Sequence, residues 1–280
     1  MSPCPSFICM TLTTFFFHSY TTTLDLTAIE KVLETINRHV PRQFQSSESG
    51  SPFRSVDPSS IYPAPSQAKV PKSYQYDRVT YLPFLLKTLS LAMTEWPLFR
   101  SSITPTTPSS SQPPKPTLTV RPHTDISVAL STLTGLYTPT LSSVDRHSVY
   151  GIASSLKHLV TLGRQVPCGL TPKEMPRRGG TITVSNIGAI GKGEGAMPIL
   201  VPGGGVAIVA LGRAKWVWDV DGPGFYEAGV GSTKKGERRL QMAVSWSADH
   251  RVVEGAELAA FVECWREYVE CPERLVGLGV

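Results

Sequence analysis

Apolar residues recur at three- and four-residue spacing in four stretches of the chain, which is the pattern of helices with one buried face. The predicted helices begin at Asp25, cover 81–98 and 144–162, and begin again near Gly255. Alternating or continuously apolar stretches predict strands at 15–20, 118–120, 126–130, 181–184, 206–211 and 240–247. Strands with flanking helices predict an α/β (α+β layered) domain, in which the strand at 206–211 is buried on both faces.

Two segments rich in Ser and Pro, at about 41–77 and 101–116, interrupt this pattern. Their apolar residues have no sustained period, so we interpret both as disordered insertions in one domain that covers 15–280. Residues 1–14 stay unassigned. The first twenty residues lack a basic segment, a bilayer-length apolar run and an Arg-rich amphipathic pattern, so the sequence predicts neither a transmembrane segment nor a recognisable transit peptide.

Composition narrows the function classes further. The net charge of +5 over 280 residues is mild, and the basic residues do not cluster with aromatic ones. This pattern favours solvated loop charges over a nucleic-acid surface, and no membrane partner is expected. The five cysteines are odd in number and no pair has CxxC spacing, which favours a reducing compartment without a zinc site.

His250 is the first candidate for chemistry, because it falls between a strand that ends at about Ser247 and a helix that begins near Gly255. Such junctions expose side chains that are rigidly held. The imidazole of a histidine can accept a proton at neutral pH. A single histidine beside Asp249 is also a common structural residue, so the position alone leaves both interpretations open.

The glycine-rich run from Gly179 to Gly193, GGTITVSNIGAIGKG, is the second candidate. A strand ends at about Val184 and continues into Ser185 and Asn186. Glycines let the backbone come close to a ligand or another chain, and a Ser hydroxyl can donate to an oxyanion. The run also fits a tight turn in which both side chains bond only to backbone. It does not fit a P-loop, because no Lys-Ser/Thr pair follows the glycines.

Taken in order, SNIGAIG, a Pro-Gly turn, VAIVALG and SWSADHRVVEGA resemble the catalytic domain of dihydrolipoyl acyltransferases, the core subunits of 2-oxo acid dehydrogenase complexes. DHRVVEG is similar to the family signature D-H-R-x-x-D-G. The resemblance is good over about 120–275 and fainter over 15–98, and SNIGAIG with SWSADHR is nearest to the branched-chain member, the lipoamide acyltransferase. It implies a trimer and a chloramphenicol-acetyltransferase-like sheet with helices on one side.

The resemblance also implies roles for single residues. His250 would take the proton from a thiol, and the resulting thiolate would attack a thioester. Ser185 of the neighbouring chain would donate a hydrogen bond to the tetrahedral oxyanion. Asn186, Gly212 and Ala214 fall at positions where the family contacts coenzyme A.

This sequence departs from the family pattern at several points. Glu254 replaces the signature Asp as a third catalytic candidate, and its extra methylene could shift the loop that carries His250. Ser131 replaces the Asp of the family's D-T-x-x-G-L turn, which weakens an expected coenzyme A contact. The Asp-Lys-Ala hairpin of a lipoyl domain does not occur, and residues 1–14 match no family arm.

We therefore expect an enzyme that moves an acyl group, branched-chain by resemblance, between dihydrolipoamide and coenzyme A. Coenzyme A is a substrate, no metal is needed, and another chain or domain supplies the lipoyl group. The expected partners are two further copies in a trimer, a larger core, and the other subunits of the dehydrogenase complex in the mitochondrial matrix. Two alternatives stay open: a catalytically weakened structural core subunit or truncated paralogue, and an acyltransferase of the chloramphenicol type.

Overall fold

A six-stranded mixed sheet forms the centre of the protein, with strand order β1-β10-β9-β8-β4-β7. The computed structural model describes residues 17–46, 61, 68–104, 117–190, 193–200, 205–219 and 236–277. The strands are β1 (Phe17–Asp25), β2 (Ser101–Thr104), β3 (Thr117–Val120), β4 (Ile126–Val128), β5 (Leu130–Thr132), β6 (Gly135–Tyr137), β7 (Thr140–Leu141), β8 (Ile182–Asn186), β9 (Ala207–Asp219) and β10 (Glu237–Asp249). The helices are α1 (Thr27–Arg38), α2 (Tyr81–Glu95), α3 (Val149–Gly163), α4 (Gly255–Glu270) and α5 (Arg274–Gly277).

The register of the sheet fixes where each strand ends. β1 and β9 flank β10 in antiparallel pairs, whereas β8 runs parallel to both β9 and β4. The apolar run at 207–211 on β9 is buried throughout, as the sequence predicts for a strand covered on both faces. The predicted layered α/β architecture is therefore confirmed.

Helix α4 is fastened to the sheet by an aromatic cluster. The Trp246 ring on β10 meets the rings of Phe261 and Trp265 edge to face, with centroid distances of 5.6 and 5.5 Å. The indole of Trp265 donates to the Thr88 hydroxyl of α2 at 3.1 Å, which satisfies its buried N–H. All three rings are fully buried, so the strand that leads to His250 and the helix that follows it are held in a fixed relation.

Both predicted disordered insertions include residues at their ends that form secondary structure. Ser101–Thr104 pairs with β3, and the segments Arg42–Phe44 and Lys72–Tyr74 form 3-10 turns. Tyr76 is only 5% exposed, and its hydroxyl donates to the Tyr150 carbonyl at 3.2 Å, so packing overrides the polar composition around it. Residues 47–60, 62–67 and 105–116 of the predicted insertions, and residues 1–14, lie outside the described residues.

Two other predicted boundaries differ from the structure. The helix predicted at 144–162 begins at Val149, because Val144–Arg146 forms a separate 3-10 turn. β9 and β10 extend to Asp219 and from Glu237, well past the apolar residues, because each pairs with the other along its polar half. No helix in the described part of the chain is long and apolar enough to span a membrane.

Candidate functional site

His250 lies in the turn between β10 and α4, and its side chain is exposed. Backbone hydrogen bonds hold the turn at its base: the Asp249 N–H donates to Val206, and the N–H groups of Val252 and Val253 both donate to the Asp249 carbonyl, each at 3.0 Å. The ring of His250 is therefore accessible on a rigid base. This is the arrangement that the junction of strand and helix predicted.

The two neighbours of His250 in sequence form an ion pair beneath it. The Asp249 carboxylate, 1% exposed, accepts hydrogen bonds from the Arg251 N–H at 3.1 Å and from the Arg251 Nε at 2.9 Å. Burial by itself would raise the pKa of Asp249, but the hydrogen bonds and charge of Arg251 outweigh it, and the net pKa lies below its usual value. Asp249 therefore stays ionised and fixes the turn from both sides of the histidine.

Glu254, the third catalytic candidate, marks the start of α4. It forms a capping box with Glu257: the Glu254 N–H donates to the Glu257 carboxylate at 2.9 Å, and the Glu254 carboxylate caps the Glu257 N–H in return. Its carboxylate thus stabilises the first turn of the helix. A direct role of Glu254 in catalysis stays a prediction.

Ser185 and His250 do not meet within one chain. On β8, Ser185 lies opposite Ala210 of β9, which lies opposite Ser245 of β10. Asp249 is four residues further along β10, about 13 Å at 3.3 Å per residue, and β8 is two strand spacings of about 4.8 Å away. The Cα atoms of Ser185 and Asp249 are therefore about 16 Å apart, beyond the reach of the two side chains.

Ser185 faces away from the helices. Ile182 and Val184 point into the core with 0% and 1% exposure, so alternation puts Thr183 and Ser185 on the other face of β8. The Ser185 hydroxyl makes no hydrogen bond to another described residue. It is a partly buried donor on the face of β8 opposite the buried Ile182 and Val184.

Asn186, Gly212 and Ala214, the three residues predicted to contact coenzyme A, line one pocket of about 320 Å³. The start of α2 closes it on the other side, and Arg213 brings a positive charge to its lining. At its rim, Tyr81 donates to Glu30; burial and this hydrogen bond raise the pKa of Tyr81 to about 12, so it remains a neutral donor. The described residues that line it are Thr80, Tyr81, Leu82, Leu85, Asn186, Gly188, Ala189, Leu211, Gly212, Arg213, Ala214 and Met242.

Two glycines in the lining of this pocket lie close to neighbouring backbone. A Cβ atom on Gly188 would lie 2.2 Å from the Gly212 carbonyl oxygen, and one on Gly212 would lie 2.1 Å from the Glu194 carbonyl oxygen. At this point β9 bulges, because Gly212 and Arg213 together oppose Ala243 of β10. The glycine-rich signal in the sequence thus reflects a close approach of three backbone segments.

Ser131 is not part of this pocket. It lies exposed on β5, in the short hairpin that β5 forms with β6, and is absent from the pocket lining. The sequence predicted a coenzyme A contact here; in the described residues, Ser131 contributes to a separate surface.

Sequence reasoning missed two features of the site. The ion pair of Asp249 with Arg251 could have been suspected from their spacing around His250, because the side chains of residues two apart in a turn can contact each other. His18 packs against His250 with ring centroids 4.7 Å apart, and no signal in the sequence pointed to it, since the two lie 232 positions apart in the chain. Among the described residues, no group of His, Cys, Asp and Glu could hold a metal ion.

Comparison with known proteins agrees with this architecture. Residues 18–277 match the family described as 2-oxoacid dehydrogenases acyltransferase (catalytic domain). The mitochondrial lipoamide acyltransferase component of the branched-chain alpha-keto acid dehydrogenase complex from Mus musculus is 35% identical over 196 residues, 70% of this chain and 36% of that protein. Component 4 of the chloroplastic pyruvate dehydrogenase complex of Arabidopsis thaliana, a dihydrolipoyllysine-residue acetyltransferase, is 35% identical over 151 residues, 54% of this chain and 28% of that protein.

Solved structures share the same fold. The cubic core of the pyruvate dehydrogenase multienzyme complex has a TM-score of 0.64 at 23% identity, over 91% of this chain and 82% of that chain. A truncated catalytic core of the 2-oxoacid dehydrogenase multienzyme complex from Thermoplasma acidophilum has a TM-score of 0.62 at 18% identity, over 92% and 89%. The chain therefore has the fold of these cores, and it spans little more than a third of the mouse relative.

Proposed function

The chain belongs to the family of 2-oxoacid dehydrogenase acyltransferase catalytic domains, and on that premise we propose that it transfers an acyl group between a dihydrolipoyl thiol and coenzyme A. The observation that carries the proposal is the exposed imidazole of His250 on a turn fixed by the buried Asp249 carboxylate. A general base must be both accessible to its proton donor and fixed in position, and His250 meets both conditions.

In the proposed reaction, His250 accepts the proton of the attacking thiol. The thiolate adds to the thioester carbonyl, and the tetrahedral intermediate carries its negative charge on oxygen. The Ser185 hydroxyl donates a hydrogen bond to that oxygen. When the intermediate collapses, the carbon–sulfur bond of the leaving thiol breaks, and the leaving thiolate takes the proton back from His250. The step consumes one thiol and one thioester and releases one of each.

A complete site requires two copies of the chain. The estimated separation of about 16 Å between Ser185 and Asp249, the residue before His250, supports a site in which Ser185 and His250 come from different subunits. Ser185 is partly exposed and lies on the face of β8 opposite the buried Ile182 and Val184, and this is the face that we expect another subunit to approach. We infer a site at the boundary between subunits of a trimer, which assembles into a larger core with the other subunits of a dehydrogenase complex.

The pocket beside Gly212 supports coenzyme A as the second substrate. Gly188 and Gly212 contribute no side chain to its lining, and Arg213 supplies a positive charge for a phosphate group. The lipoyl group would arrive on another chain or domain. A branched-chain acyl group and a mitochondrial location are the finer part of the proposal, and they rest on the similarity to the mouse lipoamide acyltransferase.

The decisive experiment measures turnover of isobutyryl-coenzyme A with free dihydrolipoamide. Loss of a general base lowers rates by roughly 100- to 10,000-fold, and loss of one oxyanion donor by roughly 100- to 1,000-fold, so His250→Ala and Ser185→Ala should both fall in these ranges. His147→Ala, an exposed histidine on another surface, and Thr183→Val, on the same face of β8 as Ser185, are the matched controls. Wild-type turnover no greater than that of His250→Ala would refute the enzyme.

Two observations favour a second candidate, a structural core subunit with weakened catalysis. The Glu254 carboxylate is engaged in the helix cap, and Ser131 lies outside the pocket that Asn186, Gly212 and Ala214 line. A chain that forms trimers by sedimentation, yet turns over no faster than His250→Ala, would support this candidate.

A further inference from the structure

We propose that His18 is a positioning residue, which holds the imidazole of His250 in its reactive orientation by packing against it ring to ring. This inference deepens the proposed function and rests on it. His18 lies on β1, near the opposite end of the sequence from His250.

The contact between the two rings is direct. Their centroids are 4.7 Å apart and their planes meet at 63°, an edge-to-face arrangement. Aromatic rings favour this geometry because a positive ring edge meets a negative ring face. His250 is exposed, so the ring of His18, held on the sheet, gives it a fixed surface against which it can rest.

The sheet itself fixes the location of His18. β1 pairs with β10 in unbroken register over nine residues, with His18 opposite Ala248. On the same face of β1, the Tyr20 hydroxyl donates to Glu263 and Arg266 donates to the Thr22 hydroxyl, so that face is bonded to α4. His18 therefore stands on a backbone that cannot slide relative to the turn it supports.

The surroundings of His18 indicate that its shape matters more than its polarity. Both ring nitrogens are buried and have no hydrogen-bond partner among the described residues. Its Cδ2 atom lies 3.9 Å from where a Cβ atom of Gly255 would stand, so the ring fills the space between the His250 turn and the first residue of α4. Burial, and then the nearby His250, lower the pKa of His18, so the ring remains neutral and competes for no proton.

The test separates ring packing from hydrogen bonding by comparing His18→Ala with His18→Phe. A displacement of about 1 Å in a catalytic group costs about 100-fold in rate, so His18→Ala should lower kcat by about 10- to 100-fold with the KM for coenzyme A little changed. His18→Phe keeps a planar ring and should restore most of kcat. Ser19→Ala, on the exposed face of β1, is the control.

A second measurement reads the ring contact without turnover. Diethyl pyrocarbonate modifies accessible histidines, and peptide mass spectrometry isolates the rate at His250. His18→Ala should raise this rate severalfold, whereas His18→Phe should leave it near the wild-type value. Circular dichroism of each variant verifies that it is folded.

The outcomes distinguish this inference from the proposed function. If His18→Ala keeps wild-type kcat and modification rate, or if His18→Phe is as impaired as His18→Ala, ring packing is refuted. If the wild-type chain turns over no faster than His250→Ala, the proposed acyl transfer fails, and the modification rates still decide whether His18 holds the ring of His250.

Discussion

Removing the charge of Asp249 should both weaken the fold and slow the proposed reaction. The Asp249 carboxylate accepts hydrogen bonds from the backbone N–H and from the guanidinium group of Arg251. In Asp249→Asn, the side-chain amide has only one oxygen acceptor and no charge, so it cannot replace these bonds. Hydrogen bonds to a charged group contribute about 1.5–3 kcal/mol, and the 38% exposure of the Arg251 side chain reduces the gain from the ion pair, so we expect a loss of about 2 kcal/mol in the free energy of unfolding.

The kinetic effect should follow from the same geometry. The turn that carries His250 is held by Asp249 through its side chain and its carbonyl group. If the loss of the side-chain bonds lets the imidazole move by about 1 Å, kcat should fall by about 100-fold, which corresponds to about 2.7 kcal/mol of barrier. The assays are kcat for isobutyryl transfer and the midpoint of urea unfolding.

The chain contains a matched control for this variant. Glu237 and Arg239, at the other end of β10, form an ion pair with the same spacing as Asp249 and Arg251, but the Glu237 side chain is 76% exposed. Glu237→Gln should therefore cost less than about 0.5 kcal/mol and leave kcat unchanged. If Asp249→Asn keeps kcat within twofold of the wild type, or if both variants lose equally, the turn does not depend on the buried carboxylate.

Two further predictions follow from the site. Gly212→Ala brings a Cβ atom to 2.1 Å from the Glu194 carbonyl oxygen, so the backbone must move. We expect a loss of about 1–3 kcal/mol in the free energy of unfolding and a raised KM for coenzyme A. The control is Gly193→Ala, which should behave as wild type because nothing lies within 4 Å of its Cβ position. The pKa of Asp249 is lower in the folded state than in the unfolded chain, so the unfolded chain binds more protons and stability should fall as the pH drops below about 4. Urea midpoints between pH 3 and 6 test this, and Asp249→Asn should have the shallower acid slope; an equal slope would contradict the assignment.

Hydrophobic period predicted the four long helices and the central strands because each buries one face or both, and that burial leaves a repeating signal in the sequence. The position of His250 at a strand end could be predicted for the same reason. Composition alone gave no means of locating Tyr76, which is buried by contact with α3 although Ser and Pro surround it in sequence. Composition describes local solubility, and a single distant contact is enough to override it.

Contacts and distances between different strands of the sheet could not be predicted from local sequence patterns. The contact of His18 with His250 depends on the pairing of the first strand with the last, and long-range pairing has no local signature. The distance between Ser185 and the His250 turn could likewise be estimated only from the strand order and the register of the sheet. Within one chain, these place the two motifs too far apart to form one site. The sequence identified Ser185 and His250 as candidates, but their separation became visible only in the folded sheet.

That separation leads to a test that needs no structure of the assembly. If each site takes His250 from one subunit and Ser185 from the next, His250→Ala and Ser185→Ala chains are each inactive alone but complementary when mixed. In trimers assembled at random from equal amounts, about a quarter of the sites pair an intact histidine with an intact serine, so co-expression should restore about a quarter of wild-type turnover. Sites contained within one chain could not be rescued in this way, because every chain carries one of the two lesions. Turnover of the mixed protein no greater than the sum of the two variants would therefore refute a site shared between subunits, and with it the part assigned to Ser185.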